Sequence, residues 1–405
     1  MKKTRCIFFP VLMLLLPVSL FAFDFGLITN QYAGYGYSGG DENYFQYQAD
    51  ILPRFSSLIG DSGEFIISAG MTLGVEDGFY YVPELLRTEI SLRFGNGAIK
   101  AGRISYTDPL TFIASGLFDG VQFSHYSKAG IFSVGAWYTG LLFKKTANIT
   151  MTAGDWAKYD SALDYGDFFN TYFAPPRLLA SLDWEHPSVA ELFSLKAAIT
   201  GQIDLSDGNE KYHSQYLTLK AGIPVKSFLF ELGGSLEAAQ TAWEDETQFT
   251  MAFAWDLGIF WTLPASFNSR LSLTGRFAGG RVDDFMGAFV PVTTKVFGDV
   301  LQAKLSGLSV LGLNYTARVN RILGTSLTAS CFIRNDLGTY DGYPVIAEEN
   351  DGYFLGTEFF ARLVWSPVSD IQLNFGGGAF LPSLGDVSDE KARWRIELTA
   401  VLAIY

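Results

Sequence analysis

Three histidines, at 125, 186 and 213, and two cysteines, Cys6 and Cys331, are all that a chain of 405 residues offers for metal, thiol or imidazole chemistry. His213 stands close in sequence to Asp207, Glu210 and Ser214, a set that could nominally make a hydrolase, with the imidazole as base for a hydroxyl nucleophile. Acids near one histidine arise readily by chance. His125 and His186 fall on apolar phases near the ends of predicted strands. There is no phosphate-binding glycine loop and no metal-ligand spacing, and two cysteines cannot build a disulfide framework. The expectation is a protein that is no enzyme and carries no cofactor and no metal.

The residues that do recur with regularity are charges. Taking every second residue of the alternating segments described below, Arg87, Arg93, Arg270, Arg276, Arg318, Arg334 and Arg362 fall on the polar phase. Glu231, Glu358, Asp183, Glu237, Asp256 and Glu397 are interspersed with them. Rows of opposite charge on the inner wall of a water-filled tube would set a transverse field that orders water and selects solutes by charge. Mutual neutralisation across neighbouring strands would instead leave them structural.

The segments that would position those charges alternate apolar with polar or small residues over about ten positions, divided by turn clusters. Phe249, Met251, Phe253, Trp255, Leu257, Ile259 and Trp261 share one face of the clearest of them, against Gln248, Thr250, Ala252, Ala254, Asp256 and Gly258. Leu86, Ile90, Leu92 and Phe94 alternate likewise with Arg87, Glu89, Ser91 and Arg93. The composition, 48% hydrophobic and 16% aromatic with 42 glycines, is too apolar for disorder. Beyond residue 22 no run of 18 uncharged apolar residues could cross a bilayer as a helix. A net charge of -13 argues against nucleic acid as a partner. The predicted fold is therefore all-β: a transmembrane antiparallel β-barrel of about 18 strands (16 to 20), with short turns on one side and long loops on the other. Residues 294–319 are predicted as one long strand, because Leu301, Ala303 and Leu305 keep step with Leu311 and Leu313. A β-sandwich is the alternative that periodicity alone leaves open.

Lys2, Lys3 and Arg5, an apolar stretch from Ile7 to Leu16 and a small residue at Ala22 predict a signal peptide over residues 1–22, with a single barrel domain over 23–405. The nine longer loops, near 36–43, 76–82, 108–117, 144–174, 206–211, 241–247, 281–293, 335–351 and 382–390, hold 24 of the 42 acids and five of the 29 bases. The acidity of the protein thus belongs to the presumed outer side. The loop 144–174 is longer and more aromatic than a solvated connection needs. Asp155, Trp156, Tyr159, Asp160, Asp164, Tyr165 and Asp167 are the candidates for a constriction, opposite Arg270, Arg276 and Arg318, if it folds inward; capping the mouth or meeting an external partner is the other reading.

With a signal peptide, alternating aromatic strands over the mature length and a chain ending on Tyr405, the sequence resembles the outer-membrane β-barrel proteins of diderm bacteria, porins among them. The loose signal peptide suggests a spirochaete-like lineage. Arg103 with Gly116-Leu117-Phe118-Asp119-Gly120-Val121 is locally similar to substrate-selective porins and alginate-export-like barrels. The resemblance implies an outer-membrane channel for diffusion of small hydrophilic solutes, with lipid around it and the barrel-insertion machinery reading the last strand. A substrate-specific transporter, or an adhesin or scaffold barrel, is the alternative within the class.

Overall fold

A computed structural model describes residues 23–39, 43–75, 78–243, 246–264, 267–337, 352–386 and 391–404. The predicted signal peptide, Tyr405 and most of the acidic loop 335–351 lie outside the described residues. The strands are β1 (Phe23–Tyr37), β2 (Asn43–Ile59), β3 (Gly63–Val75), β4 (Phe79–Phe94), β5 (Gly97–Thr107), β6 (Ser115–Ser127), β7 (Gly130–Tyr138), β8 (Arg177–Val189), β9 (Phe193–Asp204), β10 (Glu210–Val225), β11 (Phe228–Trp243), β12 (Glu246–Thr262) and β13 (Arg270–Ala278). A two-stranded ribbon follows, β14 (Val296–Phe297) with β15 (Ala303–Lys304), and then β16 (Leu308–Arg318), β17 (Leu323–Arg334), β18 (Phe354–Val368), β19 (Ile371–Leu381) and β20 (Arg393–Ile404). Apart from the ribbon, each strand pairs antiparallel with the next, and β20 pairs with β1, closing an 18-stranded barrel. Pairing β20 with β1 removes the two free edges that an open sheet would present to a membrane.

The phase of the wall follows the alternation. Phe249, Phe253, Leu257 and Ile259 are exposed on the outside while Ala252, Ala254 and Asp256 are buried inside. An exterior that displays so many large apolar side chains is stable only against hydrocarbon. In β4 the phase slips. The β3–β4 register shifts between Ile67 and Ala69, so Leu85 is the exposed residue before the bulge, and Leu86, expected outside, packs against Gly70 with Leu52. One extra residue in a strand exchanges its faces.

The long strand expected over 294–319 does not exist. The wall strand starts at Leu308, and residues 279–307 form a loop that contains the small ribbon. Leu301, Ala303 and Leu305 kept the strand-like period because all three are buried against the other residues that fill the bore.

Replacing Leu257 by Arg should cost roughly 2–4 kcal/mol, because it sets a charge on the lipid face in the middle of the β12–β13 ladder. Asn30 faces inward across from Asp50, and Arg there should be borne with little loss. Ala252, although inward, is 5% exposed and has no room for such a change. Denaturant unfolding in lipid vesicles compares the two variants; equal damage would contradict the assigned faces.

Candidate functional site: a lumen narrowed by three inward loops

The pairing of β4 with β5 begins only at Thr88, opposite Arg103. Beyond that point the β5–β6 hairpin leaves the wall and crosses the bore. Gly102, at φ 110°, turns the chain there, and a Cβ on Gly120 would lie 2.1 Å from the Ala136 carbonyl. The departure carries Tyr106 to Asp183, its hydroxyl 3.1 Å from Oδ1, and Leu110 against Gly233 of β11. Arg103 holds the parting. Its guanidinium binds both oxygens of Asp119 at 2.8 Å and donates to the carbonyls of Leu85 and Leu141, so it satisfies the edge that β5 abandons. At the tip, Asp108 accepts the backbone N–H groups of Leu110, Thr111, Ile113 and Ala114 at 2.8–3.1 Å. Burial pushes its pKa up to about 6, against the pull of those four donors.

The second loop joins β7 to β8 and holds α1 (Lys144–Ala147), α2 (Ala153–Asp160) and α3 (Phe168–Tyr172). A capping box between Thr152 and Asp155 starts α2. The same Asp155 pairs with Arg177, whose other arm reaches Asp204 at 2.5 Å. Arg177 is wholly buried and ties the loop to the wall. Trp156 and Tyr159 stack at 5.6 Å, with Lys145 Nζ 4.0 Å from the Tyr159 ring centroid and Lys304 Nζ 3.3 Å from that of Trp156. The later half of the loop turns elsewhere. Tyr165 stacks on Tyr81 and bonds its backbone, and Tyr172 donates to the Pro83 carbonyl at 2.8 Å. Residues 161–173 thus cover the stretch of β4 that β5 leaves, through an apolar cluster of Val82, Phe143, Tyr172 and Phe168.

The third loop, 279–307, spans the bore. Val290 N–H donates to Glu237 at 2.8 Å and its carbonyl accepts the Tyr216 hydroxyl at 2.5 Å, on one wall. Thr293 meets Ile113 of the hairpin tip at 3.0 Å and Thr294 meets Asn148 at 2.8 Å. On the far wall Glu358 collects the N–H groups of Asp299, Val300 and Leu301 at 2.6–3.0 Å. Arg362 binds Asp299 at 3.1 Å. Phe289 and Val292 are completely buried between these anchors, in one apolar cluster with Phe112, Tyr216, Phe332 and Phe380. Burial lowers the Lys304 pKa to about 7, against the attraction of Asp160.

The predicted pore residues lie at several heights. Arg93, Arg270 and Arg318 are at the short-turn rim, and the last two are thus far from the loop acids they were expected to face, because phase tells which side a residue takes but not its level along the strand. Arg270 lies over Phe260, 4.3 Å from the ring centroid, and Arg318 donates to the Arg321 carbonyl. Arg87 binds Glu89 at 2.7 Å, Arg276 binds Asp256 at 2.9 Å and Glu231 binds Lys220 at 2.8 Å. Arg334 reaches the Gly352 carbonyl at the outer end. Of the loop candidates, Asp155, Trp156 and Tyr159 are within the inward half. Asp160 is exposed at the end of α2, Asp164 caps Gly166, Asp167 binds Asn170, and Tyr165 lies over β4. The nominal hydrolase set is not assembled: Ser214 is buried inward, while His213, one residue away on the opposite face, accepts the Asp204 N–H through Nδ1.

Asp108, Arg177, Tyr216 and Lys304 were not among the predicted site residues. Pro291, Gly298 at φ 86° and Gly307 at φ 59° are the turn vocabulary that marks 291–307 as loop.

The fold and the lumen together define a class: a membrane-spanning barrel of 18 strands whose bore is narrowed by its own loops. Within it the chain is similar to the crystal structure of Pseudomonas aeruginosa OccK2 (OpdF), with 13% identity over 94% of this chain and 97% of that one and a TM-score of 0.61. It is similar to P. aeruginosa OccK5 (OpdH), with 11% identity over 95% and 98% and a TM-score of 0.62, and to P. aeruginosa OprD, with 12% identity over 94% and 95% and a TM-score of 0.58. OccK2 has also been solved in complex with glucuronate, a structure with 12% identity to this chain over 94% and 98% and a TM-score of 0.61. At these identities the likeness is one of fold. No family model matches the sequence, and no curated protein matches it.

Proposed function

We propose that the protein is a porin-like outer-membrane channel through which small hydrophilic solutes diffuse along one side of the barrel. One observation carries the reading. The apolar cluster that fills the bore draws on strands from β5 to β19 and takes no residue from β20, β1, β2, β3 or β4. On those strands the inward side chains Asn30, Tyr32, Gln48, Asp50 and Thr72 are polar and partly exposed, and Arg395 and Glu397 beside them keep 13% and 11% of their side-chain surface exposed. A wetted strip of opposite charges beside a dry plug is a passage with a built-in transverse field. Such a narrow strip favours selective over general diffusion. In this reading residues 1–22 export the chain, the last strand with Tyr405 engages the insertion machinery, and no catalytic role is assigned.

Planar-bilayer recording with the purified protein tests the proposal: discrete ion-permeable steps are expected, and their absence would leave an adhesin or scaffold as the better account. Lys304, on the plug beside Trp156 and Asp160, is titratable in the neutral range. As the pH falls from 8 to 6, Lys304 gains its charge, so anion preference in a salt gradient should rise, and Lys304→Met should diminish that rise. Asp108, which titrates near 6 and pushes in the same direction, is retained in both proteins, so the difference between them isolates Lys304.

A further inference from the structure

On the wall nine strands away from the β4–β5 parting there is a second irregularity. β12 continues outward to Glu246, but β13 ends at Ala278, paired with Ala254, and β16 starts only at Leu308, paired with Arg334. The wall therefore steps down from β12 to the outer ends of β13 and β16, and the notch is the space beside that step. The third loop lines the notch: Gly279 N–H donates to the Phe253 carbonyl at 2.9 Å, Met251 N–H to Phe285 at 2.8 Å and Gly287 N–H to Met251 at 3.0 Å. A cavity of about 380 Å³ remains, walled by Phe253, Phe277 and Ile333 of the strands and by Val282 and Met286 of the loop. Phe253 and Ile333 belong to the exposed outer face, and Val282 is 78% exposed. Gly280, one of its lining residues, packs closely on Asn335 and Asp336, so that a Cβ there would come within 2.5 Å of Asp336.

We propose that this notch seats one acyl chain of an outer-leaflet lipid, slotted between the loop and the wall. The lining is mostly apolar, Arg334 and Asn335 being its polar members, and it is continuous with the lipid-facing belt through Met251 and Phe253, so hydrocarbon can reach it from the belt, whereas water would find few partners there. The seated chain presses on the root of the loop whose far end narrows the bore, which gives the membrane a direct contact with the plug. The inference rests on the membrane-barrel reading and not on conduction.

The test is lipid retention. The full chain is reconstituted in dioleoyl phosphatidylcholine vesicles and extracted in mild detergent, and the retained phosphatidylcholine is counted by native mass spectrometry. One tightly held lipid per chain is expected. Val282→Asp and Met286→Glu should each lower its retention roughly tenfold, since a charge replaces the apolar wall of the slot. Ile203→Asp, on the exposed outer end of β9, should leave retention unchanged. Heat-modifiable migration reports barrel folding in every variant, and failure of the wild-type chain to enter vesicles would indict the membrane reading instead. Equal retention in all variants, or equal loss in the Ile203 variant, would overturn the proposal. So would a dimer that the two notch substitutions dissolve, which would assign the slot to a second copy.

Discussion

A chain lacking residues 291–304 should pass several-fold more current per channel than the intact protein while its barrel remains heat-modifiable. The deletion removes Val292, Phe297 and Leu301 from the middle of the bore and frees Glu358 from the three N–H groups it collects. The wall ladders are untouched, and in a membrane they carry the fold. Glu358 and Arg362 are left facing water, which solvates them at little cost. Removing the more conspicuous aromatic segment, 152–170, would be a poorer experiment, since it strips Asp155 from Arg177 and Tyr165 from the edge of β4. Conductance that stays the same after loss of 291–304 would place this loop outside the solute path.

Arg177→Met should destabilise the protein by about 3–5 kcal/mol, because it leaves the carboxylates of Asp155 and Asp204 buried without their shared cation. Adding Asp204→Asn should restore part of the loss by removing one of the two stranded charges. Unfolding by urea in vesicles measures both. A loss below about 1 kcal/mol, the range of exposed pairs, would mean that water already reaches the cluster.

The outer face of the barrel was legible because lipid imposes one chemistry on every second residue, and Phe249 to Trp261 repeat it without interruption. Two things broke that legibility. A bulge such as the one beside Leu86 adds a residue without changing its type, so nothing in the composition marks it. A loop that folds into the bore is buried on all sides and takes on the apolar content of a strand, which is why Leu301 to Leu305 passed for wall. The candidate charges were legible as inward but not as partners, since pairings such as Arg362 with Asp299 depend on a loop path that periodicity does not encode. Asp108 and Arg177 act through backbone donors and through residues far along the chain, and no local spacing announces either.

The wetted strip coincides with the place where the first and last described strands meet, β1 against β20 from Leu27–Ile404 to Tyr37–Trp394. In the channel reading proposed above, closing the cylinder and completing the solute route are one event: Tyr32 from one side of the junction and Arg395 from the other share a hydrogen bond across it. On that reading a mispaired junction would show itself electrically, as leak, before it shows itself in stability.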